Sequence, residues 1–363
     1  MTAPTMGERT SRLEARLQGY HEQGLADVLE LIDYLRDEGD TVIAGGSLSI
    51  DQGNKLSDLD MVIVGPTTNT SAVPLEHWVG SLRVDAWTRA TAEIEALYAQ
   101  AEAALASDGP MVGEFGTTAQ EQQLKLLHRI AFGVVIEGEP VQPTTSGRST
   151  QEVARDLLTR EYAERARESL AMAALAHAAG SDLTAATVGR MGVEEAFHAV
   201  LHARGVPFSG DKWLAEQVQA FPDLSAQYDA IIQLPAKGEP LAPYTAHVLA
   251  LGSELLGTDL SLAAVGPDLA WEHEELTLLP IGKRRLLTSE LHGTGWELEP
   301  EEAELWKGFV DSKGEDETTF DHPTGDGAAE AFLLRMYEVG MVRAKWKRGL
   351  PLSALSIDLG GAR

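Results

Sequence analysis

The groups best suited to chemistry stand within residues 45–60. Gly45-Gly46-Ser47 lies at one end and Asp58-Leu59-Asp60 at the other, followed by the apolar run Met61-Val62-Ile63-Val64. An Asp-x-Asp opening a strand aims both carboxylates at one spot, because strand side chains alternate with a period of two. Two adjacent acids repel each other and gain little structurally. Together they are hard oxygen ligands for Mg²⁺ carrying a nucleoside triphosphate. Mn²⁺ takes the same ligands, so residue types do not choose between the ions. The Gly-Gly-Ser turn supplies backbone that can approach a phosphate, with N–H donors and the Ser47 hydroxyl. The plain alternatives are a turn with two solvated acids and an ordinary strand–helix turn. The pairing of the two motifs carries the reading.

Further candidates lie downstream. Over 82–87, Leu82, Val84 and Ala86 alternate with Arg83, Asp85 and Trp87, so Asp85 shares a face with Arg83 and Trp87. It suits a third metal ligand, a general base, or a solvated acid. Lys55 either helps bind phosphates or keeps its loop soluble. Glu194 and Glu195 lie on a helix expected over 184–204, where Glu195 is a candidate base and a solvated face is the alternative. His198 and His202 are four apart on the same helix, but no third ligand accompanies them, so they read as structural.

These residues need elements to position them. Residues 1–8 read as disordered. Residues 9–38 have a helical period, divided near Gly24, with Gly39 at a C-cap position. Strands are expected over 41–44, 59–64, 82–87 and 134–136, helices over 89–107 and 118–131, and a loop over 67–75. Together they make a small mixed sheet flanked by helices, within a domain spanning 39–145. A Pro/Thr/Ser linker over 140–150 leads to helices over 151–179, 184–204, 211–220 and 243–256, a bundle spanning 150–265. Beyond 270 the pattern changes. A helix starts near Pro300, an amphipathic helix covers 328–339 and a strand covers 341–346, which reads as a winged-helix-like module over 270–363. The fold class is α+β.

Bulk properties narrow the function. The chain has 363 residues, with 29 Lys and Arg against 56 Asp and Glu, a net charge of −27. Such a chain repels a phosphate backbone, which argues against a nucleic-acid polymer as partner and favours a cationic substrate. Acidity for solubility alone is the bland alternative. There is no cysteine, which excludes disulfides, thiolate metal sites and cysteine nucleophiles. No apolar run approaches membrane-spanning length and no signal core opens the chain, so a cytoplasmic protein with no membrane partner is expected.

Gly45-Gly46-Ser47, Asp58-Leu59-Asp60 and Asp85 resemble the signature of the DNA polymerase β-type nucleotidyltransferase superfamily. The resemblance implies that the first two acids hold two Mg²⁺ ions and that the third completes the site or acts as base. The stretch from Gly53 to Asp58 is similar to the streptomycin/spectinomycin adenylyltransferases. So is Gly210-Asp211-Lys212-Trp213-Leu214-Ala215, which resembles the part of their helical domain that meets ATP and makes Lys212 a triphosphate ligand. ATP or another NTP would then donate a nucleotide to the hydroxyl of a small molecule, such as an aminoglycoside-like antibiotic or a natural-product intermediate. The tail resembles modules of the PqqD type over about 285–348, which implies recruitment of a peptide or protein partner. A regulator that binds nucleotide without turnover is the reading from another class.

Overall fold

The computed structural model describes residues 5–66, 70–71, 73–109, 118–207, 211–273, 276–282, 284–289, 294–311, 318–323, 325–350, 352 and 355. The fold is mixed, with helices and several small sheets, consistent with α+β. The chain divides into two compact units. The first comprises 1–107, 113–159 and 201–213, and the second 108–112, 160–200 and 214–363.

The first unit opens with α1 (Met6–His21). Thr5 and Glu8 form a reciprocal capping box, so the helix starts inside the stretch expected to be disordered. After Gly24 comes α2 (Leu25–Leu31), then a 3₁₀ turn over Asp33–Leu35. Gly39, at φ 94°, is a left-handed turn residue beyond that turn rather than a helix cap. Leu13, Leu17, Val28 and Ile32 are fully buried in one core with Val42, Ala44, Met61 and Val84.

That core backs a five-stranded sheet of β1 (Thr41–Gly45), β2 (Leu59–Gly65), β3 (Leu75–Val79), β4 (Leu82–Ala90) and β5 (Val134–Glu137), in the order β3-β4-β2-β1-β5. β2 and β4 run parallel, and the other pairs are antiparallel. Every residue of β1 and β2 is buried. Burying each large aliphatic side chain contributes about 1.5–3 kcal/mol. β3 was not expected. It has no buried face, so its residues lack the alternation that marks a strand. Its presence makes β4 an interior strand.

Two helices complete this layer, α4 (Thr91–Ala106) and α5 (Thr118–Phe132). Glu102 of α4 fastens the linker by accepting hydrogen bonds from Thr145 N at 3.0 Å, Thr145 Oγ1 at 2.7 Å and Ser146 N at 3.2 Å, and from the Ser146 hydroxyl. Chiefly the Ser146 hydroxyl, then the Thr145 donors, hold its carboxyl down to about 2. A depressed pKa means stability present above the ordinary carboxylate value and lost as pH falls toward 2. Because the group is solvent-screened, Glu102→Gln is expected to lower stability at neutral pH by no more than about 1 kcal/mol. Urea melts should show that deficit shrinking as pH falls from 5 to 2.

The second unit takes most of α6 (Thr150–Ala178) and α7 (Asp182–Ala203), the end of α8 (Asp211–Gln219), and then α9 (Pro222–Ile232), α10 (Ala242–Leu256) and the short α11 (Leu262–Val265). Gly252 permits a close approach, since a Cβ there would lie 2.4 Å from Leu170 Cδ1. α6 buries Arg160 against Glu164 at 3.1 Å. Glu164 also accepts from Leu350 N at 3.0 Å.

The rest of this unit holds β6 (Leu269–His273), β7 (Leu276–Ile281), β8 (Arg284–Ser289), β9 (Thr294–Leu298), α12 (Pro300–Asp311), β10 (Thr319–Asp321), α13 (Gly327–Glu338) and β11 (Val342–Trp346). β6 lies between β10 and β11, and β7-β8-β9 form a separate meander. The helices and last strand fall where the tail's pattern placed them. The meander was not expected, because most of β7 is exposed and its composition carries no core signal. The basic run 343–348 is answered locally: Lys347 pairs with Asp321 at 2.7 Å and Arg348 with Asp268 at 3.0 Å. Among the described residues no helix is long and apolar enough to cross a membrane.

Candidate functional site

The strand register builds the site. Gly45, the last residue of β1, lies opposite Asp60 near the start of β2, and Asp60 lies level with Asp85 on β4. The chain leaves β1 through the short helix α3 (Gly46–Ser49). Gly46 has φ 75°, and a Cβ there would sit 2.3 Å from Asp60 Oδ2. This position therefore needs glycine twice, for its dihedral and for the carboxylate against it. Gln52 N and Gly53 N donate to Ser47 O at 3.0 and 2.9 Å, which curls the following loop back under α3.

A cavity of about 370 Å³ is lined by Gly46, Ser47, Asp58, Asp60, Asp85 and Trp87, by Pro74, by Gln122, Lys125, His128 and Arg129 of α5, and by Lys212. Its size falls in the range of small-molecule sites. It collects three carboxylates and three basic side chains, a composition suited to an anion and a metal together.

Asp60 is buried. Burial pushes its pKa up, Arg129 opposes this, and Asp58 and Asp85 push it further up. Arg129 Nη2 lies 3.2 Å from Asp60 Oδ1, and its guanidinium stacks over the Trp87 ring at 4.4 Å. Asp85 is held by Arg83, whose Nε and Nη2 donate to its two oxygens at 2.9 Å each. His128 is buried with Nε2 against Pro207 O, and burial followed by Arg129 drives its pKa down to about 3. It is neutral above that pH and adds no charge to the cavity.

Of the residues expected at the site, Gly46, Ser47, Asp58, Asp60, Asp85 and Lys212 line this one cavity. Asp58 precedes β2 rather than lying in it. Gly45 contributes by packing, since a Cβ there would meet Arg129 Cγ at 3.0 Å. Lys55 is exposed and does not line the cavity. Glu195 belongs to the second unit, where Ser169 Oγ donates to it at 2.8 Å. Gly210 lies outside the described residues.

Sequence reasoning missed the α5 contribution. Gln122, Lys125 and Arg129 recur at intervals of three and four, one face of a helix. That spacing was the available signal, but a polar helix face ordinarily reads as solvated. Among the described residues, no three His, Asp or Glu side chains enclose a metal position as they stand. Asp60 and Asp85 are turned to arginines instead. The donor chemistry nonetheless fits a hard divalent ion, because three carboxylates share the cavity and Asp58 and Asp85 both act against ionisation of Asp60.

No family profile matches the chain, and no curated protein matches it. Among solved structures, a nucleotidyltransferase-like protein from Exiguobacterium sibiricum is similar at 15% identity and a TM-score of 0.25, over 64% of this chain and 75% of that one. So distant a likeness carries no weight for fold or function.

Proposed function

We propose that this protein is a metal-dependent nucleotidyltransferase, moving NMP from an NTP, ATP foremost, onto the hydroxyl of a small molecule. One observation supports this above the others: Asp58, Asp60 and Asp85 share a cavity with Gly46, Ser47 and three cationic side chains. Asp58 and Asp60 would hold Mg²⁺, and Asp85, level with Asp60, would complete the oxygen set. The bound ions would neutralise the pyrophosphate leaving group and acidify the attacking hydroxyl.

The chain's own groups do the rest. Ser47 and the α3 turn donate to phosphate oxygens, with Gly46 keeping backbone and phosphate close. Lys125 and Lys212 add positive charge for the triphosphate. The acceptor's class is inferred from charge, since a chain at −27 attracts cations such as amino-sugars.

The test is pyrophosphate release from each of the four NTPs with Mg²⁺, across a panel of aminoglycosides and amino-sugars. Release that needs one acceptor and is lost in Asp58→Ala would establish the reading. Absence of NTP binding would sink it. Asp85→Asn separates two roles: loss of a ligand raises the Mg²⁺ concentration needed, whereas loss of a base lowers kcat at every Mg²⁺ concentration.

A further inference from the structure

Arg129 is the best-positioned group that the proposed chemistry has not used. It pairs with Asp60 at 3.2 Å, lies over the Trp87 ring at 4.4 Å from its centroid and lines the same cavity. Its stem packs where Gly45 has no side chain. A guanidinium held over an aromatic ring, on a stem packed against Gly45, has few other places to go. The carboxylate it answers is buried and shares the cavity with Asp58 and Asp85.

We propose that Arg129 is the resident counter-cation of Asp60 and passes to the triphosphate when metal and nucleotide arrive. The inference rests on the nucleotidyltransferase reading and deepens it. A divalent ion supplies Asp60 with the charge that Arg129 supplied, which frees the guanidinium. A triphosphate brings acceptor oxygens that suit its planar fork of donors. Trp87 keeps the guanidinium level with the cavity in both states. Arg83 does not qualify for this role. It holds both oxygens of Asp85 but is more than one-third exposed and does not line the cavity.

The experiment is calorimetric binding of adenosine, AMP and the α,β-methylene analogue of ATP, with Mg²⁺, to wild type, Arg129→Met and Arg129→Lys. Thermal melts serve as folding controls, and Trp87→Leu is a second variant that leaves the charge in place. Arg129→Met is expected to weaken the triphosphate analogue by about tenfold or more, the scale of one charge-assisted contact, and adenosine by less than twofold. Arg129→Lys should recover part of the loss, and Trp87→Leu should show a smaller loss of the same kind. Equal losses for adenosine and the analogue would mean a structural role and overturn the proposal. So would unchanged analogue binding in Arg129→Met. If wild type binds no analogue, the nucleotidyltransferase reading itself has failed, a result distinct from selective failure of the variants.

Discussion

Asp60→Asn is expected to lower nucleotidyl transfer by about 10³-fold while leaving the metal-free protein as stable as wild type, or more so. The two effects share one cause. The Asp60 carboxyl is buried beside Asp58 and Asp85, and its pKa is raised, first by burial. For a group whose folded pKa exceeds its unfolded value, stability is fully present below the unfolded value and lost as pH rises through the folded one. Once ionised, Asp60 therefore carries a burial cost that Arg129 offsets only in part. The amide removes that cost, and its oxygen can still accept from Arg129. Thermal melts of both proteins from pH 4 to pH 8, without metal, should show wild type losing stability relative to the variant as pH rises above the ordinary carboxylate value, and the variant staying level. A variant clearly less stable at pH 8 would mean that the Arg129 pair outweighs burial. A variant retaining turnover would remove Asp60 from the metal site.

Gly46→Ala is the second large effect. The new Cβ would lie 2.3 Å from Asp60 Oδ2, in a backbone conformation with φ 75°. Neither problem relaxes alone. Moving Asp60 takes it away from Arg129, and moving the backbone disturbs the exit from β1 into α3. The strain is about 1–3 kcal/mol, and displacing a ligand and a phosphate donor together should cost about 10²-fold in rate. Urea unfolding and pyrophosphate release check the two parts. Full activity with reduced stability would show that the turn tolerates a side chain and that nucleotide does not approach it closely. Gly45→Ala is the useful contrast, because its φ is ordinary and its Cβ would press on Arg129 Cγ and Cβ at 3.0 and 3.1 Å without touching Asp60.

Much of this site was legible because its spacing is local. Asp58 and Asp60 are separated by one residue, and an apolar run after them marks a buried strand whatever surrounds it. Gly45-Gly46-Ser47 is legible for the same reason, as a turn whose residue types restrict its geometry. Asp85 was found through the alternation of its own strand. The helices over 91–106, 118–132 and 150–178 follow from their periodicity.

Other features depended on which strands pair. That Asp60 lies level with Asp85 and opposite Gly45 is a matter of register, set by contacts between segments 15 to 25 residues apart, not by any segment's own pattern. β3 is a strand only because β4 offers it an edge, and β7, mostly exposed, is held in its meander by pairing with β8. Arg129 is the clearest case. In sequence it is one more polar residue on an amphipathic helix. The role proposed for it comes from Trp87 beneath it and Asp60 beside it, and both are brought there by the sheet. Sequence by itself determined which groups could do chemistry, because residue type and short-range spacing set their valence and orientation. Tertiary structure alone decided which of them meet, and which carboxylate is buried deeply enough to need a cation, because burial and charge proximity are properties of packing.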